Sequence, residues 1–543
     1  MNADSRWPWL GWWLGLAAAG AQALALAAFY FHRDFTSDHL YPHLFAADVL
    51  SGRYPLSGWT LSSAPYFFPD FAFATLWLAV LGGDGTVFAA YAAGYYLALA
   101  AVLGWAAARV RPEWGARAWL VGPVLVNLLL GCRELTDHAR YLWWLGIPGF
   151  HGGAVLLGMV VFALWFGPLE TEPPPARRWL AVGLLAVGVL SDTLLLVQFA
   201  VPLLLAFAWC ARGRWRESVR ARSYALTLMR AVLIAALARV VLGVAGMFVF
   251  SKVLRYAPWP SDIFAAGAQL ARDVGGTLAP HGTVFVLLGV VAVGWGLWRL
   301  RQSAGAPVRR LADAGVLVSL AVTLAMPVVT VYWKNSQHAR YLLPWLVLPG
   351  WWCGLNILAW REHKAADLNP RTGRVGLGLL ALLFILAGGV AAGTWSWESW
   401  RWPQPPAVRE LVEGLRQRGL DHGLSDYWNA HHLNQLSHGA LHLNQLRPDG
   451  RTYFWNNNAF WHFDVADAGR LASPRYNFVL MTRLDPAAIT ARFGPPAERV
   501  MIAGEELWLY APESAAALTK KVESDVRQRL QGRPGAARLP PEP

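Results

Sequence analysis

The chain has 543 residues, 55% of them hydrophobic and 15% charged, with a formal net charge of +13. Apolar runs near the roughly 20 residues that cross a bilayer core as a helix recur along it, which excludes a soluble globular protein and predicts a polytopic α-helical membrane protein. The positive charge does not signal nucleic acid, because most arginines fall in short loops between apolar runs. Three scattered cysteines, Cys132, Cys210 and Cys353, make neither a disulfide framework nor a structural zinc site.

Residues 8–31 form the first predicted span; one arginine precedes it and no cleavage site follows, so it is read as retained rather than as a signal peptide. A polar stretch comes next, Arg33-Asp34-Phe35-Thr36-Ser37-Asp38-His39-Leu40-Tyr41-Pro42-His43, then an amphipathic run to Gly52 and the sequence Tyr66-Phe67-Phe68-Pro69-Asp70. Residues 71–81 are apolar but too short to cross, and counting them as a span would invert every later loop. A re-entrant or interfacial helix is predicted there. Further spans are predicted at 86–108, 118–132, 149–167, 231–251, 282–298, 313–332, 341–360 and 375–394. Residues 178–210 have basic flanks on both sides, which predicts a hairpin of two short spans, 178–190 and 193–210, with Ser191-Asp192 at its apex. The total is about eleven.

Loops at 109–117, 168–177, 211–230, 299–312 and 361–374 are rich in arginine, whereas those at 32–70, 133–148, 252–281 and 333–340 are not. The positive-inside rule makes the first set cytoplasmic. A multi-pass protein of a bacterial inner membrane is expected, with a cytoplasmic N-terminus, a first outer loop at 32–70 and a transmembrane domain over 1–394. The Trp-rich segment 395–403 suits a membrane–water interface, and 395–513 is expected to form a periplasmic α/β domain. Its predicted helices are Val408–Arg418, Asn429–Leu436 and one starting at Asp485-Pro486. Its predicted strands are Ala440–Leu446, Arg475–Met481, Arg499–Ile502 and Leu507–Tyr510. Residues 514–530 add a polar helix, and the Pro/Gly/Arg-rich tail 531–543 is expected to be disordered.

Asp38 is the first candidate for chemistry. A carboxylate at the start of an interfacial helix can accept the proton of an attacking hydroxyl, although Thr36, Ser37 and Asp38 also suit a helix N-terminus on structural grounds alone. Asp38, His39 and His43 are candidate ligands for a divalent ion, since i and i+4 share a helical face. Asp34 and Asp70 are further acids, Asp70 with an alternative use as a capping residue. In the late outer loop, Lys334 and Arg340 are placed to hold a lipid phosphate, and Arg340 can do so bidentately. Snorkelling, with Trp333 and Tyr341 as belt aromatics, is the alternative. The pentapeptide His-Ala-Arg-Tyr-Leu occurs at both 138–142 and 338–342, which adds Arg140 as a candidate; Arg133, Glu134, Asp137 and Arg140 equally fit a surface ion-pair lattice. Asp192, at a hairpin apex, is an acid at membrane depth. Arg239, nine residues into its predicted span, is placed nearer the cytoplasmic end. In the C-terminal domain, Ser425-Asp426-Tyr427-Trp428, His431-His432, Asn456-Asn457-Asn458 and Trp461-His462 combine rings and amides, as sugar sites do and as the turns of an ordinary α/β core also do.

Ser37-Asp38-His39, Ser51-Gly52-Arg53-Tyr54-Pro55, Phe68-Pro69-Asp70 and Arg340-Tyr341-Leu342-Leu343-Pro344 together resemble loops of the GT-C superfamily of membrane glycosyltransferases, which includes aminoarabinose and mannosyl transferases. The resemblance covers about the first 395 residues. His39 stands where those enzymes often carry a second acid, and Ser191-Asp192 where they often carry Lys-Gly. The resemblance implies a GT-C-like membrane domain and transfer of a sugar from a polyprenyl-phosphate carrier to a glycan, lipid or protein acceptor. It implies Asp38 as catalytic base and Arg340 as phosphate contact, with Lys334, Tyr341, His39, Asp70, Asp192 and Arg140 as further substrate-binding candidates. A transporter or lipid flippase using Asp192 and Arg239, and a non-catalytic envelope assembly factor, are the competing expectations.

Overall fold

The computed structural model describes residues 3–31, 36–82, 85–131, 139–212, 215–251, 259–273, 307–331, 334, 336–365, 405–465 and 470–540, with a few positions between 291 and 298. The predicted span 375–394, most of 282–298, the Trp-rich segment 395–403, and Asp34, Arg133, Glu134 and Asp137 lie outside the described residues.

Helices dominate the first two thirds: α1 (Ala3–Phe31), α2 (Ser37–Ser51), α3 (Ala72–Leu81), α4 (Thr86–Val110), α5 (Val121–Gly131), α6 (Ala139–Gly146), α7 (Gly152–Trp165), α8 (Pro175–Ser191), α9 (Val201–Ala211), α10 (Val219–Val244), α11 (Pro260–Asp273), α12 (Pro307–Val329) and α13 (Pro344–Ala365). Two short strands, β1 (Trp59–Leu61) and β2 (Val249–Phe250), lie in loops among them. Five helices of the described residues are long and apolar enough to cross a membrane: Pro8–Tyr30, Thr86–Val110, Pro112–Gly131, Val219–Val244 and Pro307–Val329. These mark a membrane protein by length and composition. The apolar helices Phe67–Leu81, Gly152–Trp165 and Leu196–Ala211 are shorter. The helix breaks at Asp192, the predicted apex, between α8 and the helical stretch that begins at Leu196.

Small residues and polar pairs hold the bundle, as expected where burial from lipid gives helices little reason to associate. A side chain at Gly122 would run into the Ala100 carbonyl, so α4 and α5 meet backbone to backbone. Buried Gln22 of α1 donates to Asn127 of α5 at 2.7 Å, and Asn127 donates to the Gly15 carbonyl at 2.8 Å. The loops group by alternation. At one end Arg111 and Arg309 both pair with Glu113, Arg109 donates to the Phe166 carbonyl, and Arg220 donates to the Trp165 and Thr171 carbonyls. At the other end α2, β1, the Tyr66–Asp70 turn, the Asp192 apex, β2 and the segment around Arg340 come together.

α10 begins 12 residues before the predicted span at 231–251, because Ser218 caps it and its basic first turns continue the helix. Arg239 therefore lies five residues from the far end of the helix. It stacks over Phe250 at 4.6 Å and reaches the Ser63 carbonyl in the loop predicted as outer, so it does not lie nearer the end predicted as cytoplasmic.

The C-terminal domain is built from α14 (Pro406–Arg416), β3 (His422–Asp426), α15 (Tyr427–Leu436), β4 (His442–Leu446), β5 (Asn457–Asn458), β6 (Asp464–Val465), β7 (Leu471–Ala472), β8 (Phe478–Leu480), α16 (Pro486–Phe493), β9 (Glu498–Ile502), β10 (Glu505–Leu509) and α17 (Pro512–Leu530). Its main sheet has the order β4-β3-β8-β10-β9, with β4, β3 and β8 parallel and the rest antiparallel. Within that sheet β3 is the strand without a sequence-based counterpart, and the short strands β5, β6 and β7 outside it have none either. Two departures from expectation concern the C-terminus. The polar helix at 514–530 is α17, whose Ala515, Leu518, Val522, Val526 and Leu530 are buried in the domain core. The tail expected to be disordered is ordered through Pro540: Arg533 donates to the Ser57 carbonyl at 3.1 Å and Arg538 to the Arg53 carbonyl at 2.9 Å.

This domain is joined to the membrane part rather than tethered to it. β5 pairs antiparallel with β1, which pairs parallel with β2. Buried Asp48 of α2 accepts Trp59 Nε1 at 2.9 Å, Asn458 Nδ2 at 2.8 Å and Trp461 Nε1 at 3.2 Å. Burial pushes its carboxyl up to about 6, against those donors.

His422, at the start of β3, offers a pH test of the domain. Its Nδ1 lies 2.9 Å from Asp421 and its Nε2 3.2 Å from Asp464. The hydrogen bond to Asp464, with that to Asp421 behind it, pushes the imidazole up to about 9 despite burial. A folded-state value above the unfolded one means the folded state binds the extra proton, so this contribution is fully present below about pH 6.5 and is lost as pH rises through about 9. Thermal unfolding of His422→Asn is expected to fall less steeply than wild type over that window. Equal slopes would refute the assignment.

Candidate functional site

The site starts at the N-terminus of α2. Thr36 is the N-cap, and His39 three residues on accepts the Thr36 backbone N–H through Nδ1 at 2.9 Å, a capping box with histidine in the usual acid's place. Capping thus falls to Thr36 and His39, and Asp38 is left facing outward. Its carboxylate is still favoured by the helix dipole. Ser37 donates from Oγ to the Tyr427 and Trp428 carbonyls, each at 2.8 Å, which seats the start of α15 on the start of α2.

Two groups meet the Asp38 carboxylate. Arg340 Nη1 lies 3.4 Å from Oδ2, and the Tyr427 hydroxyl donates a short hydrogen bond to Oδ1. Asn456 Nδ2 donates in turn to the Tyr427 oxygen at 3.3 Å. Burial, with Asp38 adding to it, raises the Tyr427 phenol well above its usual range, so it stays a donor. Burial works against the Arg340 charge, but Tyr341, Asp38 and Tyr66 outweigh it and leave the guanidinium more firmly protonated. The Arg340 Nε is buried with no hydrogen-bond partner among the described residues. Asp38 and Arg340 remain 19% and 28% exposed, so an external molecule can reach both.

Behind them lies the corner Gly149-Phe150-His151, before α7. Gly149 donates its N–H to Asp70 at 2.9 Å, the Phe150 ring lies 5.7 Å from the Arg340 guanidinium and stacks on His39 at 4.4 Å, and His151 Nδ1 lies 2.6 Å from Asp192. The Tyr66 hydroxyl is 3.2 Å from His151 Nε2, which makes a buried chain Asp192–His151–Tyr66. Tyr66 and His151 both hold left-handed backbone, with φ of 59° and 69°. Such positions cost of order 1–3 kcal/mol in non-glycine residues and persist where the surroundings fix them.

The sequence candidates divide accordingly. Asp38, Arg340 and Tyr341 come together, Tyr341 lying against His151 at 5.2 Å while its carbonyl accepts Gln198. Asp192 belongs to the layer behind them, and its other oxygen accepts the Leu194 N–H at 2.9 Å. Asp70 is neither cap nor surface acid: it is 2% exposed and accepts Tyr91 as well as Gly149. His39 is 1% exposed and spent on capping and stacking, which removes it as a substrate contact. Lys334 is exposed, with no bond to Arg340 or Asp38 among the described residues. Arg140 is on α6, its side chain outside the described set; α6 touches the 3₁₀ segment Ser336–Leu342.

The metal candidates are corrected too. His43 is buried beside Phe88, its imidazole lowered to about 4 by burial, and Asp38 points to Arg340 and Tyr427 instead. No group of three or more histidine, cysteine or carboxylate ligands gathers among the described residues.

His151 and Tyr66 were missed by sequence reasoning. A lone histidine between Gly149 and the pair Gly152-Gly153, at the mouth of an apolar span, was the available signal. Tyr427 stood out only as one ring of a sugar-binding set. Comparisons with family models, curated proteins and solved structures return no match.

Proposed function

We propose that this protein is an integral membrane glycosyltransferase of a bacterial inner membrane, working on the outer face with its C-terminal domain in the periplasm. It moves a sugar from a polyprenyl-phosphate carrier to a glycan, lipid or protein acceptor. The observation that carries this reading is the 3.4 Å pair of Asp38 and Arg340, both partly exposed, where the loops predicted as outer converge.

A base and a cation side by side suit direct displacement at a sugar carbon. The carrier's phosphate is the stronger partner for a guanidinium, and the partly exposed Arg340 side chain is placed to meet it. Phosphate binding draws Arg340 from Asp38 Oδ2, and that oxygen is then free to accept a proton. The acceptor oxygen forms its bond to the sugar carbon, the carbon–oxygen bond to phosphate breaks with its electrons staying on phosphate, and the acceptor's proton passes to Asp38. Arg340 stabilises the charge that develops on the leaving phosphate. Tyr427 keeps the carboxylate oriented throughout.

The transporter reading depended on Asp192 and Arg239. Asp192 is held by His151 and Leu194, and Arg239 lies at the end of its helix against Phe250. Neither arrangement favours it.

Thermal unfolding of the detergent-purified protein with and without polyprenyl phosphate tests the proposal. A ligand bound only by the folded state adds about 2.7 kcal/mol at a hundredfold excess over Kd. Wild type is expected to shift upward and Arg340→Ala to lose the shift. An unshifted wild type would overturn the lipid-phosphate donor.

A further inference from the structure

The parallel strands of the C-terminal sheet all end toward Asp38. β3 ends at Asp426 and passes straight into Tyr427-Trp428, β4 ends at Leu446 beside it in register, and β8 ends at Leu480, shortly before Arg483. From β3 the chain leaves through α15 to β4 on one side. From β8 it leaves through α16 toward β9 on the other. A divergence of this kind, outside the carboxyl ends of neighbouring parallel strands, is where open α/β sheets place their ligand crevice.

The residues at this crevice are chemically selective. Tyr427 is buried with its hydroxyl on Asp38, and Trp428 beside it is 38% exposed. Arg483, exposed and with φ of 61°, has its guanidinium 5.9 Å from the Trp428 ring. Arg447, also exposed, lies 5.2 Å from the ring of Tyr453, which packs edge-on to Tyr427 at 6.1 Å. Neither arginine forms an ion pair among the described residues, although the Arg483 charge also acts on buried Asp426, which caps α15. Rings offer sugar C–H faces a surface, and exposed guanidinium groups offer carboxylate or phosphate oxygens paired donors.

We propose that the crevice at the carboxyl ends of β3 and β8 is the acceptor site and takes an anionic saccharide, one bearing carboxylate or phosphate groups. This rests on the transferase reading, because it places the acceptor's hydroxyl against Asp38. Trp428 and Tyr453 carry the sugar faces, Arg483 and Arg447 its charges, and Tyr427 joins the crevice to the base.

Calorimetric titration of the detergent-purified full chain tests the site without requiring turnover. The probes are a hexagalacturonide, a phosphorylated oligomannoside and neutral maltohexaose. At least one anionic probe is expected to bind ten times or more tighter than maltohexaose, and the two anionic arms separate carboxylate from phosphate. Arg483→Gln and Trp428→Ala are expected to weaken that binding at least tenfold while the polyprenyl-phosphate thermal shift stays intact. Equal binding of maltohexaose, binding unchanged in both variants, or no binding of either anionic probe would each overturn the proposal. Saccharide binding without any polyprenyl-phosphate shift would overturn the donor reading and leave the crevice standing.

Discussion

Asp38→Asn is expected to lower turnover by about 10²–10⁴, the usual share of a positioned general base, with folded protein and donor binding preserved. The amide matches the carboxylate in shape, and its carbonyl can still accept the Tyr427 hydroxyl. The Ser37 contacts that seat α15 involve backbone carbonyls and do not depend on Asp38. Losing a carboxylate at the helix N-terminus costs about 0.3–1 kcal/mol, too little to unfold the domain. Removing the charge also frees Arg340 from the partner that competes with phosphate, so the polyprenyl-phosphate shift should persist or grow. The signature is a fall in kcat with the donor KM unchanged or lower. Wild-type turnover would sink Asp38 as the base. Loss of both turnover and the donor shift would instead point to a broken site.

The sequence made α2 legible because its signals are local. Thr36 to His39 mark a helix start, and an acid in that turn at a predicted outer surface is a short step from Asp38. Arg340 was accessible for a similar reason, as a cation in a loop whose parity the arginine count had assigned. The partners of these residues were not local. Tyr427 lies 389 residues from Asp38 and His151 41 residues from Asp192, and no periodicity encodes which loops meet. His39 and Asp70 show the converse difficulty. Polar type and position suggested surface chemistry, yet a histidine whose Nδ1 caps its own helix end and an acid bonded by Tyr91 and Gly149 both lie inside. The C-terminal tail misled through composition alone. Pro, Gly and Arg are typical of disorder, but Arg533 and Arg538 find the backbone carbonyls of Ser57 and Arg53, a surface the sequence could not display as available.

That packing also separates what is rigid from what is exposed. Behind the partly exposed Asp38 and Arg340 lies the buried Asp192–His151–Tyr66 chain. Three elements meet there, and each supplies backbone as well as side chain: Ser191 accepts the Tyr66 N–H through its carbonyl at 3.0 Å, and its Oγ accepts the Phe68 N–H at 2.9 Å.

His151→Ala is accordingly expected to be the most destabilising single change near the site. It leaves Asp192, 4% exposed, without the imidazole 2.6 Å away, and removes the partner of the Tyr66 hydroxyl. Removing one partner of a buried hydrogen bond costs roughly 1–3 kcal/mol, and more where the remaining group is charged, because that group stays desolvated. Alanine must also adopt the left-handed backbone that His151 holds at φ 69°. Thermal unfolding in detergent should show the loss, and Asp192→Ala should show a comparable one. The double variant should cost clearly less than the sum, since groups in one network couple by 0.5–3 kcal/mol. Additive losses would mean that His151 and Asp192 act separately, and the layer supporting Arg340 would then have to be sought in the Phe150 and Tyr341 rings.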